Sequence, residues 1–337
     1  MAERNGRTFI FDKEIRVIAS AGVAGKLEGE GPLGKYFDRI FTDSTMGEIC
    51  WEKAESDIIT AAMKIALEKA KIDDSDIDAV FAGDLLNQCI SSSFALRSMD
   101  VPFCGMFGAC STMALSSLAA CLAVESGAMN TCMAATSSHF CSAEKQFRFP
   151  LEYGGQRTPT AQRTVTGAGA LIVSESSQKS LPKIKSAHLG TVQDLGIIDS
   201  TNMGAAMAPA ARKTISDFLR DTNTLPSDYD MILTGDLGLV GSRLLKELIL
   251  KEDNIDLSMV HQDCGLLIFN RENQDVHAGG SGCGCCASVL CSHILNEMRC
   301  GRIKNLLFVA TGALMSPVSS REGESIPGVA HLIHFVI

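Results

Sequence analysis

The sequence has no excess of positive charge: 30 Lys and Arg stand against 39 Asp and Glu, a formal net charge of −9. Without a basic stripe there is nothing to displace phosphate counter-ions, so a nucleic-acid partner is excluded, and an anionic ligand needs local donors against the general field. No stretch reaches the roughly 18 uninterrupted apolar residues of a membrane span. The opening Met1-Ala-Glu-Arg-Asn-Gly-Arg-Thr8 has no apolar run behind its charges and does not read as a secretory signal. A cytoplasmic or peripheral protein is expected. Disorder is excluded too, since 46% hydrophobic content with 20% charge describes a chain able to bury a core.

Cysteine, by contrast, is abundant. Thirteen are present, and in a reducing compartment most should be small buried hydrophobes. Cys283, Cys285, Cys286 and Cys291 crowd one glycine-rich stretch, but they lack the paired C-x2-C spacing of a tetrahedral site, so no metal is expected. Cys110 differs. In Phe107-Gly-Ala-Cys-Ser-Thr-Met-Ala-Leu-Ser-Ser-Leu-Ala-Ala120 it opens a long apolar helix, whose N-terminal field favours a thiolate or a bound anion.

Self-comparison shows the chain folded twice. Ile77-Asp-Ala-Val-Phe-Ala-Gly-Asp-Leu-Leu86 is echoed by Tyr229-Asp-Met-Ile-Leu-Thr-Gly-Asp-Leu-Gly238, each a strand closed by Gly-Asp after a helical segment, 56–71 and 207–220. Gly127 to Thr136 is echoed by Gly301 to Thr311, and Gly167 to Ser174 by Gly328 to Phe335. Apolar strands alternating with helices point to two α/β halves, 1–176 and 177–337, each with a mixed, mostly parallel sheet covered on both faces. Sites in such sheets gather at strand carboxyl ends. Cys110 lies 26 residues beyond Asp84 and His261 lies 25 beyond Asp236. Equivalent points of the two halves are thus expected to bring a thiol and an imidazole together.

The duplicated pattern, with Gly-Ala-Cys-Ser opening a helix and Val260-His-Gln-Asp263 in the second half, resembles the thiolase and ketoacyl synthase superfamily, ketoacyl synthase III most of all. The resemblance implies a thiolase-like fold layered αβαβα and acyl transfer on Cys110 with His261. Cys285-Cys-Ala-Ser288 and the following helix, ending at Gly301-Arg-Ile-Lys304, are similar to that family's asparagine motif. At the asparagine itself stands Cys283, or Ser281 if the glycine loop shifts. Aligned with the His-Pro motif of thiolases instead, His277 takes the position. The oxyanion donors of an acyl transferase are therefore incomplete.

The block from Ser142 to Ala170, containing Phe147-Arg-Phe-Pro-Leu-Glu-Tyr-Gly-Gly-Gln-Arg157, resembles the stage V sporulation protein AD family, as does the chain from about Phe9 onward. That resemblance implies a non-catalytic protein binding dipicolinic acid (pyridine-2,6-dicarboxylate) for its uptake into the developing spore. It also implies membrane proteins of the same operon as partners, a position at the spore inner membrane, and a homodimer. No cofactor is expected beyond calcium arriving with the dicarboxylate. On this reading the Cys110 helix start, with Ser111, meets one carboxylate, and Arg148, Arg157 or Arg163 forks onto the other. His139, His261 and His277 are expected to line the pocket, with Asp263 favouring an imidazolium at His261. The alternative is an active acyl-CoA enzyme of ketoacyl synthase III type using Cys110 and His261.

Overall fold

Ten strands of the chain line up in one continuous twisted sheet, in a computed structural model that describes residues 2–147 and 157–337. The first half supplies β1 (Ile15–Gly25), α1 (Trp51–Ala70), β2 (Ala79–Gly83), β3 (Phe103–Gly105), α2 (Thr112–Glu125), β4 (Thr131–Ser138), α3 (Phe140–Phe147) and β5 (Gly167–Glu175). The second supplies β6 (Lys183–His188), α4 (Met203–Thr222), β7 (Met231–Thr234), α5 (Gly238–Asp253), β8 (His261–Asp263), α6 (Cys283–Val289), β9 (Asn305–Ala313) and β10 (Gly328–Val336).

The spatial order is β3-β2-β4-β5-β1-β6-β10-β9-β7-β8. Read outward from the centre, the halves repeat one another. β2 runs parallel to β3 and β4, and β5 is antiparallel to β4 and β1. In the same way β7 runs parallel to β8 and β9, and β10 is antiparallel to β9 and β6. One antiparallel pair, Lys183 with Arg16, joins the two. Each half is a mixed sheet, as the echoes implied.

Burial explains the layers. Ten of the fourteen residues of α2 and all seven of α6 are buried, which marks helices of the middle layer. α2 packs on β4 and β2 of its own half and on β9 and β10 of the other, while α6 packs on β5 and β4. α1 covers the far face of β1 and β5, and α4 that of β9 and β10. The result is helix, sheet, helix, sheet, helix. The two outer helices span a turn more than their apolar periodicity indicated, α4 beginning where the Asn202 side chain accepts from the Ala205 N–H.

Close approach of the middle layer needs glycine. A Cβ built on Gly169 of β5 would lie 2.3 Å from the Ala287 carbonyl oxygen of α6. Gly169→Ala should therefore force helix and sheet apart, lowering unfolding free energy by about 1–3 kcal/mol in urea denaturation; an unchanged midpoint would mean that this contact does not set the layer spacing.

Candidate binding site

Cys110 sits at a tight turn just before α2. Ala109 adopts φ +50°, a left-handed conformation that costs a non-glycine residue and turns Cys110 toward the interior. The turn is fixed locally: the Ser111 N–H and hydroxyl both donate to the Gly108 carbonyl (3.1 and 2.6 Å), and the Thr112 hydroxyl donates to the Ala109 carbonyl (2.6 Å). Beneath it runs Gly312 of β9, whose absent side chain leaves room for Gly108 and Cys110. Ser111 is fully buried with its hydroxyl turned back on this loop, so it shapes the turn and does not wall the space outside.

The group that the second half brings to this thiol is Asp236. Its fully buried carboxylate accepts from the Ser281 hydroxyl (3.1 Å), the Gly282 N–H (2.8 Å) and the Thr311 hydroxyl (2.9 Å). Cys110 Sγ lies 4.0 Å from Ser281 Oγ, which in turn donates to Asp236. Burial raises the Asp236 carboxyl above its usual range. Burial, and next the Asp236 charge, push the Cys110 thiol well above its ordinary value. A nucleophilic cysteine needs the opposite surroundings, a cation or a base. Here the thiol is held as S–H.

His261 is not that base, and the expected pairing of thiol with imidazole is corrected by topology. His261 opens β8, the strand beside β7, and therefore corresponds to Phe103, which opens β3 beside β2. The element equivalent to α2 is α6, so Ser281 is the counterpart of the Cys110 region. The count misled because the second half inserts 264–282 between its edge strand and its middle helix, where the first half needs only 106–111. His261 Nε2 instead meets the Thr234 hydroxyl at 2.9 Å. Burial, with the Lys246 charge, lowers it to about 4. The imidazole is neutral, so the imidazolium expectation is also corrected. Asp263 cannot supply it, because its carboxylate accepts from the Leu237 and Gly238 N–H groups and the Thr234 hydroxyl, and burial raises it to about 7.

The other candidates scatter. His277, at φ +47°, faces Asp275 at 3.2 Å, and the same aspartate takes Arg157 through Nη2 at 2.9 Å. His139 is buried at the start of α3 with Nε2 2.8 Å from the Ser44 carbonyl. Arg148 lies outside the described residues. Cys283, Cys285 and Cys286 each direct Sγ to a backbone carbonyl, and the described residues contain no cluster with metal-holding geometry.

Over Cys110 and Ser281 opens a narrow cleft with about 40 Å³ of free space. Phe107, Phe147, Met203 and Met315 wall it, with Leu85, Ala143 and Ala313 between them, and Thr164 and Glu144 are its remaining polar side chains. Sequence reading missed Asp236 and these walls. The Gly235-Asp236 pair was visible, but only as a strand ending.

A model of the stage V sporulation protein AD family matches residues 5–336. Stage V sporulation protein AD of Bacillus subtilis (strain 168) is 45% identical over 329 residues, covering 98% of this chain and 96% of its own length. The chain belongs to the stage V sporulation protein AD family. Among solved structures, cerulenin-bound OleA of Xanthomonas campestris superposes with a TM-score of 0.61 at 13% identity, over 97% of this chain and 98% of its own. A single-residue variant of OleA with cerulenin gives 0.62 at 12%, over 97% and 98%. At that identity the likeness shows the fold alone, which is thiolase-like. This member of the stage V sporulation protein AD family has no described helix long and apolar enough to cross a membrane.

A thiol held as S–H should alkylate slowly. With iodoacetamide at pH 7.5, Cys110 should label roughly tenfold or more slowly than exposed Cys300, followed by peptide mass spectrometry. Comparable rates would mean that Cys110 is a thiolate after all.

Proposed function

We propose that the cleft above Cys110 binds dipicolinic acid and does not transform it. The observation that carries this reading is the buried Asp236 carboxyl beside the Cys110 thiol: a site that holds its cysteine protonated, with no imidazole or cation among the described residues of its lining, is suited to binding. The ligand and the setting, uptake of dipicolinate into the developing spore, are those that the resemblance to the stage V sporulation protein AD family implies. The chemistry of the cleft is compatible. A flat pyridine ring suits walls of Phe107, Phe147 and two methionines, whose side chains must part to widen the cleft of about 40 Å³ around it. One carboxylate would lie at the N-terminal end of α2, a 14-residue helix whose dipole favours an anion.

The second carboxylate needs a cation. Arg157 is engaged with Asp275, and no Arg, Lys or His is among the described residues that wall the cleft. Arg163 fronts a different cavity, which leaves Arg148 as the remaining arginine that the resemblance implies for this role. Calcium enters this reading only as a counter-ion carried by the ligand. Pairing into a homodimer and docking on membrane proteins of the same operon belong to the same proposal and rest on the family.

Calorimetric titration with dipicolinate should give saturable heat in the micromolar range. Ala143→Trp, which fills the cleft, and Arg148→Ala should each weaken binding at least about tenfold, whereas Cys110→Ser should stay within about threefold. A covalent acyl adduct on Cys110 after incubation with acyl-CoA, together with no heat from dipicolinate, would instead establish the acyl-transfer alternative.

A further inference from the structure

On the other side of α3 lies a second, larger cavity of about 500 Å³, and its leading feature is an arginine without a counter-ion. Arg163 and Thr164 form a two-residue strand parallel to Gly280–Ser281. Alternation along that strand sends Thr164 to the Cys110 cleft and Arg163 to this cavity. The same division runs along α3: Ala143, Glu144 and Phe147 face the cleft, while Phe140 and Cys141 front the cavity. The two spaces are neighbours with separate linings.

The Arg163 guanidinium is largely enclosed and lies over the Phe140 ring, 3.8 Å from its centroid. Its Nε is buried with no hydrogen-bond partner, and among the described residues no carboxylate comes within ion-pairing distance of it. Enclosed arginines are almost always paired, and this guanidinium fronts the cavity with no carboxylate among the described residues to pair with it. The acids near the cavity do not fill the role. Glu28 is committed to the Thr166 N–H at 3.0 Å and is raised by burial to about 7. Glu30 stands at the exposed rim, as does Lys26, which adds a second cation. His139 is tied to the Ser44 carbonyl.

We propose that this cavity is a second ligand site, for a small flat carboxylate whose carboxyl group pairs with Arg163 and whose plane extends the stack of guanidinium on Phe140. The volume lies in the range of small-molecule pockets. A guanidinium stacked on a ring keeps its edge free to fork onto a planar oxyanion, which a lysine could not do with the same geometry. The inference stands on Arg163 and its cavity, independently of what occupies the cleft over Cys110.

The probe is 4-bromobenzoate, a flat monocarboxylate whose bromine can be located by anomalous scattering. Soaked into crystals of the full chain, it should place bromine in the cavity with its carboxylate toward Arg163. In solution, Arg163→Gln and, independently, Thr42→Trp at the exposed rim should each weaken its binding about tenfold or more, while the cleft-filling Ala143→Trp leaves it unchanged. Thr42→Trp keeps the test valid should Arg163→Gln fail to fold. Bromine absent from the cavity, or affinity unchanged in both cavity variants, would overturn the proposal, and inorganic phosphate binding as tightly as bromobenzoate would overturn the assignment to a flat carboxylate. Loss of dipicolinate heat in Ala143→Trp alone concerns the other site.

Discussion

One buried carboxyl holds the centre of this molecule together. Asp236 stands at the end of β7, where its Oδ2 accepts from Ser281 and Gly282 at the entrance to α6 and its Oδ1 accepts from Thr311 in β9. Its backbone carbonyl takes the Gln162 side chain at 2.6 Å, which binds in addition the Gly280 carbonyl at 2.7 Å. Strand end, middle helix, neighbouring strand and the segment leading into β5 thus meet at one residue. Removing the carboxyl would leave several buried donors without partners, each costing about 1–3 kcal/mol. The Cys110 turn from the first half closes over the same point.

That constraint settles the character of the site. An acid in a dry interior stabilises hydroxyl and thiol protons around it, and burial with the Asp236 charge raises the thiol's own pKa. The thiolase-like fold places a middle helix beneath a cysteine, and the proposed function follows from the acid beside it. A similar acid closes the corresponding strand of the first half. Asp84 accepts from the Ser92 N–H and hydroxyl, and it faces Glu55, which burial and then the Asp84 charge raise well above the usual carboxylate range. The duplication is thus visible in the buried acids as well as the strand order.

Much of the fold was legible in the sequence because its signals are local. Apolar strands ended by Gly-Asp, and helices of matching length between them, carry their own periodicity, and the three strand echoes correspond to β2 with β7, β4 with β9, and β5 with β10. The site was legible at Cys110, where a small-residue turn precedes an apolar helix, and little further. His261 was misplaced because spacing along a chain does not register an insertion between strand and helix. Asp236 was overlooked because nothing in an isolated Gly-Asp tells whether the aspartate caps a turn in water or sits dry between two halves; that depends on contacts with Ser281 and Thr311, 45 and 75 residues away.

The most direct test is a high-resolution crystal structure of the chain grown with dipicolinate. The pyridine ring should lie in the cleft between Phe107, Phe147 and the two methionines, with unmodified Cys110 beneath it and Asp236 still bonded to Ser281, Gly282 and Thr311. A cleft left empty in a dipicolinate-saturated crystal, or a covalent bond between ligand and Cys110 Sγ, would contradict a site built to enclose rather than to react.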